Sequence, residues 1–167
     1  MPEERQSGGP NVYEGGCACG HVRYRLAEAP IVVHCCHCRW CQRESGSAFA
    51  INAVIEADKV ELTGAAPERV DTPSASGRGQ AVFRCPKCRI ALWSHYGGRG
   101  DKADFIRVGT LDHPDACPPD VHIFTGSKQP WVALPDGAEV FGEFYTGKDV
   151  VRIYGEAGAA RWKALYV

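Results

Sequence analysis

The sequence predicts one mainly β domain with few short helices, and three observations lead there. Apolar and polar residues alternate in short runs, as Val22, Tyr24 and Leu26 do with Arg23 and Arg25, which is the period of a half-buried strand. Nineteen glycines and eleven prolines punctuate the 167 residues, as expected of an antiparallel fold with many turns. Helical periodicity is weak throughout.

Taken in order, residues 22–26 form the first strand by that alternation. Residues 48–55 are small, aromatic and β-branched and read as a strand with at least one buried face. Residues 59–62, 81–83, 90–94 and 105–108 read as further short strands. Glycine and proline mark 64–67, 73–79 and 97–100 as turns or loops. A short helical turn after Arg39 and a helix over 157–165 are the best helical candidates.

The bulk numbers narrow the function class. Hydrophobic residues make up 44% and charged ones 23%, with a formal net charge of −1. That is ordinary for a soluble globular chain and gives no electrostatic footprint for nucleic acid or an anionic membrane. The polar start lacks the apolar stretch of a signal peptide, and no apolar run reaches membrane-spanning length, so the expected location is cytoplasmic. Nine cysteines, an odd count in a reducing compartment, point to metal rather than to a disulfide framework.

The cysteines fall into two constellations. Cys17-Ala-Cys19 and Cys85-Pro-Lys-Cys88 each have ligand spacing. Residues two apart in a strand point the same way, and modest bending brings their sulfurs to the roughly 4 Å that tetrahedral zinc requires. Four thiolates close the coordination sphere, which makes this a structural site. The alternatives are four buried free cysteines, or a redox pair at Cys85 and Cys88 that would leave Cys17 and Cys19 without a role.

The second constellation is Cys36-x-Cys38-x-x-Cys41, three sulfurs that one tight loop can aim at a point. Three protein donors and an exchangeable position are the arrangement of a reactive zinc site. Three thiolates leave zinc a poor Lewis acid for water, but suit it to take and deprotonate an incoming thiol. The alternative is a second closed structural site completed by Cys35, His34 or His37. Cys35 otherwise reads as core or as a spare thiol, and Cys117 as incidental.

These residues resemble the glutathione-dependent formaldehyde-activating enzymes, which share a domain with centromere protein V. The matching pieces are Gly15-Gly-Cys-Ala-Cys-Gly20, Cys36-His-Cys-Arg-Trp-Cys41 followed by Gly46-Ser-Ala-Phe49, and Phe83-Arg-Cys-Pro-Lys-Cys88. Val108-Gly-Thr-Leu-Asp112 and His122-Ile-Phe-Thr-Gly-Ser-Lys-Gln-Pro-Trp131 come after them in the family's order. The resemblance implies a β-tent fold of small antiparallel sheets around a structural zinc held by Cys17, Cys19, Cys85 and Cys88. It implies a catalytic zinc on Cys36, Cys38 and Cys41, and a carbon–sulfur lyase activity that joins glutathione to formaldehyde. It covers residues 13–141, the expected zinc-binding formaldehyde-activating-type domain; a flexible tail (1–12) is expected before it and a C-terminal extension packed on it (142–167) after it. The family usually has a glycine and a small hydroxyl residue where Arg89 and Ile90 stand.

Glutathione carries two carboxylates, so Arg39, Arg43 and Lys128 are candidates to grip them. Trp131 is a candidate pocket wall. His122 is a candidate to relay a proton to the nascent alkoxide, or else a structural residue beside Ile123 and Phe124. The expected partners are a small thiol and a small aldehyde, with no nucleic acid and no membrane. The rival readings are a zinc-stapled binding module and a glutathione carrier without turnover.

Overall fold

The computed structural model describes residues 13–167 apart from Arg99, and the tail expected over 1–12 lies outside the described residues. In chain order the elements are β1 (Glu14–Gly16), β2 (Arg23–Leu26), β3 (Val32–Cys36), α1 (Arg39–Ser45), β4 (Ala50–Glu56), β5 (Val60–Leu62), β6 (Glu68–Thr72), β7 (Gln80–Arg84), β8 (Ala91–Tyr96), β9 (Ala103–Arg107), β10 (Val121–Ile123), β11 (Glu139–Val140) and α2 (Val150–Ala164). Among the described residues the strands build a three-stranded sheet, β1-β2-β5, and an eight-stranded sheet ordered β11-β10-β3-β4-β9-β8-β7-β6. Pairing is antiparallel except at one end, where β10 runs parallel to both β3 and β11. The class is mainly β, with few helices.

Side-chain alternation explains how the sheets stack. Tyr24 and Leu26 are buried while Arg25 between them is exposed. With Val22 they pack on Val33, Ala53, Ile55, Leu92 and Ile106 from one face of the large sheet. Val32, Val54, Val121 and Ile123 point to the opposite face, where Tyr145 and Ile153 cover them. Each such aliphatic side chain contributes roughly 1.5–3 kcal/mol when fully buried. β3 is covered on both faces and is buried along its whole length.

The structure departs from the sequence reading at several points. β1, β3, β6, β10 and β11 are strands that the pattern did not name. Cys17 and Cys19 sit in the turn after β1 rather than in a strand; the Gly20 N–H closes that turn on the Cys17 carbonyl at 3.1 Å. The helix expected over 157–165 begins earlier, at Val150, and breaks at Gly155, whose φ of 70° and ψ of 169° lie outside helical space. Only glycine adopts that conformation readily, and the break hides the amphipathic period of the first turn.

α2 is fastened to β4 by Arg161. Its Nε and Nη2 donate to the two oxygens of Glu56 at 2.8 and 2.5 Å, and its Nη1 donates to the Ala29 carbonyl at 2.9 Å. Burial pushes the Glu56 carboxyl up, but the Arg161 bonds outweigh it and hold the group below its ordinary value. Arg161→Ala is expected to cost about 2 kcal/mol, because Glu56 keeps its burial and loses its charged donors. Urea unfolding at fixed zinc concentration measures this. An unchanged midpoint would reduce the pair to a surface contact.

Candidate metal centres and the adjoining cleft

The two cysteine pairs that spacing singled out meet in space. The turn after β1 carries Cys17 and Cys19, and the turn between β7 and β8 carries Cys85 and Cys88; the four sulfurs all lie within 4.8 Å of one another. Cys17 and Cys19 are 3.5 Å apart, and Cys19 and Cys85 are 3.7 Å apart. Tetrahedral zinc with bonds of about 2.3 Å sets its sulfurs about 3.8 Å apart, so this donor set fits the ion. Backbone N–H groups already support negative sulfur there: Val22 donates to Cys17 at 3.3 Å and Lys87 donates to Cys85 at 3.4 Å. Burial pushes the Cys17 thiol up, but the Val22 N–H and the neighbouring cysteines bring it down to about 6.

Arg89 completes the turn around Cys85 and Cys88. Its N–H donates to the Cys85 carbonyl at 3.0 Å, and its φ is +64°. That left-handed conformation costs a residue with a Cβ roughly 1–2 kcal/mol. The glycine that the sequence comparison expected at this position would meet no such cost. Its side chain offers only an exposed ion pair with Glu68 in return, and such pairs contribute little. Arg89→Gly is therefore expected to stabilise the zinc-loaded protein by about 1 kcal/mol, read as a higher melting temperature. A lower one would mean that the Glu68 pair outweighs the backbone strain.

The second group, Cys36, Cys38 and Cys41, is set by the passage from β3 into α1. Cys36 ends the strand, Cys38 is the N-cap of the helix, and its sulfur accepts the Cys41 N–H at 3.3 Å. The three sulfurs lie within 4.8 Å of one another, and no fourth Cys, His, Asp or Glu donor joins them among the described residues. Cys36 and Cys41 are buried and Cys38 is half-buried, so Cys38 is the side from which the group is reached. The thiols of Cys36 and Cys41 hydrogen-bond to Cys38 and hold it well below the ordinary thiol range. Cys36, bonded to that sulfur, is pushed up to about 12.

Gln42, which the sequence reading passed over, locks this loop. Its buried Nε2 donates to the His37 carbonyl at 2.7 Å and to the Ser127 carbonyl at 3.0 Å, and its Oε1 accepts from Gln129 at 2.7 Å. The only sequence signal for it is its place directly after the third cysteine. A cleft of about 640 Å³ opens beside it, lined by Arg39, Gln42, Arg43, Phe49, Gln129 and Trp131 among others. Arg39 hydrogen-bonds Gln42, Arg43 is exposed, and Trp131 is 74% exposed. Lys128 does not line this cleft. Its ammonium donates to the carbonyls of Gln129 at 3.0 Å and Val132 at 2.6 Å.

The remaining candidates lie elsewhere. His34 is buried, with Nε2 against the Tyr145 hydroxyl at 2.7 Å, and Cys117 is buried in the core under the small sheet. His122 is not grouped with Cys36, Cys38 and Cys41. Its Nδ1 meets His37 Nε2 at 3.0 Å, and these two form a separate buried group with Cys35.

Residues 12–127 match the family described as glutathione-dependent formaldehyde-activating enzyme. A Halomonas elongata protein, provisionally named as such an enzyme, is 29% identical over 127 residues, covering 72% of this chain and 80% of that protein. A crystal structure of a Rhodobacter sphaeroides protein superposes with a TM-score of 0.45 at 19% identity, covering 59% of this chain and 87% of that one.

Proposed function

The chain belongs to the glutathione-dependent formaldehyde-activating enzyme family, and from that premise we propose that it is a carbon–sulfur lyase that joins glutathione to a small aldehyde such as formaldehyde. In this reading residues 13–141 are the working domain and 142–167 an extension that covers the large sheet. The two sheets are the walls of a β-tent, with Cys17, Cys19, Cys85 and Cys88 holding a structural zinc. Cys36, Cys38 and Cys41 hold the catalytic one.

The observation that carries the proposal is the half-buried Cys38 at the start of α1, followed along the same helix by the cleft residues Arg39, Gln42 and Arg43. Zinc held by the three thiolates supplies the positive charge that keeps an approaching thiol deprotonated. The protein's own side chains do the rest. Arg39 and Arg43 present guanidinium groups to the glutathione carboxylates, and Trp131 offers an aromatic wall. Gln42 keeps the loop and the 125–129 segment in fixed relation, so the reacting sulfur is held rather than searched for. Lys128, committed to backbone carbonyls, is left out of this set. The reaction balances without an oxidant. The thiol gives its proton to water in the open cleft, a carbon–sulfur bond forms as the carbonyl π bond breaks, and the alkoxide takes that proton back from the water.

Mixing the zinc-loaded protein with glutathione and formaldehyde, and following the adduct by NMR exchange, tests this. Acceleration over the protein-free rate supports the lyase. Glutathione binding without acceleration would leave a carrier, and neither would leave a zinc-stapled binding module. All nine cysteines are free thiols, which agrees with a reducing compartment such as the cytoplasm. No described helix is long and apolar enough to cross a membrane.

A further inference from the structure

A third set of donors shares no residue with either cysteine group and has no part in the chemistry above. The parallel register of β3 and β10 sets Cys35 directly beside His122. Alternation turns both away from the face that carries Cys36 and Ile123, and those two pack in the core on the other side of the sheet. His37, two residues after Cys35, brings its Nε2 to 3.5 Å from the Cys35 sulfur and 3.0 Å from His122 Nδ1. The three ligand atoms lie within 4.8 Å of one another, and all three residues are buried. His37 is fully buried, and its Nδ1 has no hydrogen-bond partner.

The geometry points to a third transition-metal site formed by Cys35, His37 and His122. One thiolate and two imidazole nitrogens are a borderline-soft donor set. It selects zinc or a neighbouring first-row divalent ion over magnesium and calcium, which take oxygen ligands. In tetrahedral zinc the nitrogen–nitrogen and nitrogen–sulfur separations are roughly 3.4–3.7 Å, so the 3.0 and 3.5 Å separations need only a few tenths of an ångström of opening. A hydrogen bond alone leaves this convergence half explained. One proton suffices between His37 Nε2 and His122 Nδ1, yet the Cys35 sulfur is aimed at the same nitrogen. Three protein donors leave the fourth coordination position to a water or a small ligand. Cys35 and His122 are held by two adjacent strands, and His37, whose carbonyl Gln42 fixes, by the loop between Cys36 and Cys38.

Counting zinc in the full chain after dialysis against the metal tests the assignment. Three equivalents per chain are expected, one for each donor group, falling to two in Cys35→Ala and in His122→Phe with the other two groups still loaded. Two equivalents in the unaltered protein, or a third that survives both substitutions, would overturn the site. Should either variant fail to fold, refolding the unaltered chain in cobalt(II) in place of zinc decides the matter. One equivalent must then bring the charge-transfer intensity of a single thiolate, against three or four for the other two. A spectrum showing only the many-thiolate bands would exclude the site.

Discussion

A Cys88→Ser variant is expected to lose its fold. Cys88 belongs to the turn between β7 and β8, and its sulfur groups with that of Cys85 in the same turn and, across 66 or more residues of chain, with those of Cys17 and Cys19. Zinc bound there ties the edge of the small sheet to the β7–β8 turn, near the β6 end of the large one. Structural zinc sites contribute on the order of 10 kcal/mol of apparent binding free energy, comparable to the whole net stability of a domain. Removing one of four thiolates sacrifices much of that. The contrasting case, four cysteines packed as small hydrophobes, predicts a cost of only about 1–3 kcal/mol. Circular dichroism and zinc content separate the two. A cooperative, near-native melt for Cys88→Ser would mean that no structural ion is held there.

Cys38→Ser is expected to do the opposite, keeping the fold and losing more than about 100-fold in adduct formation, since even changes in a metal's second shell cost 10–100-fold. The argument rests on the position of Cys38. It caps α1 by accepting the Cys41 N–H, and serine is among the best residues for that role, so the helix start survives. What disappears is the half-exposed sulfur on the open side of the group. The zinc ratio should fall by one while the melting temperature stays within a few degrees. Activity that persisted through this change would place the reaction outside the Cys36, Cys38 and Cys41 group.

The half-buried parts of the fold were legible in the sequence. Val22, Tyr24 and Leu26 alternate with the half-buried Arg23 and the exposed Arg25 because one face of β2 meets the core and the other turns toward water. β3 was not legible, for the converse reason. Buried on both faces, it shows no alternation, and its histidine and cysteines read as a metal loop rather than a strand. β6 is an edge strand of mostly exposed residues, Glu68–Thr72, and β10 has three residues, too few to establish a period. The cysteine groupings were readable from spacing because each pair or trio lies within one turn. The Cys35, His37 and His122 group was not, because it depends on a register between strands that no local pattern encodes. The roles of Gln42 and Lys128 were hidden likewise. Both are decided by which backbone carbonyls come within reach.

The parallel pairing of β10 with β3 also governs how the chain comes to be assembled. Asp120 accepts the Val33 N–H from 87 residues away, and pairings of such long range form slowly because a large loop must close first. Until it closes, β3 is paired only with β4, and its other edge, with Cys35 and Cys36, stands open to solvent. Oxidative cross-linking then competes with folding, and recovery from denaturant depends on the reductant at least as much as on time.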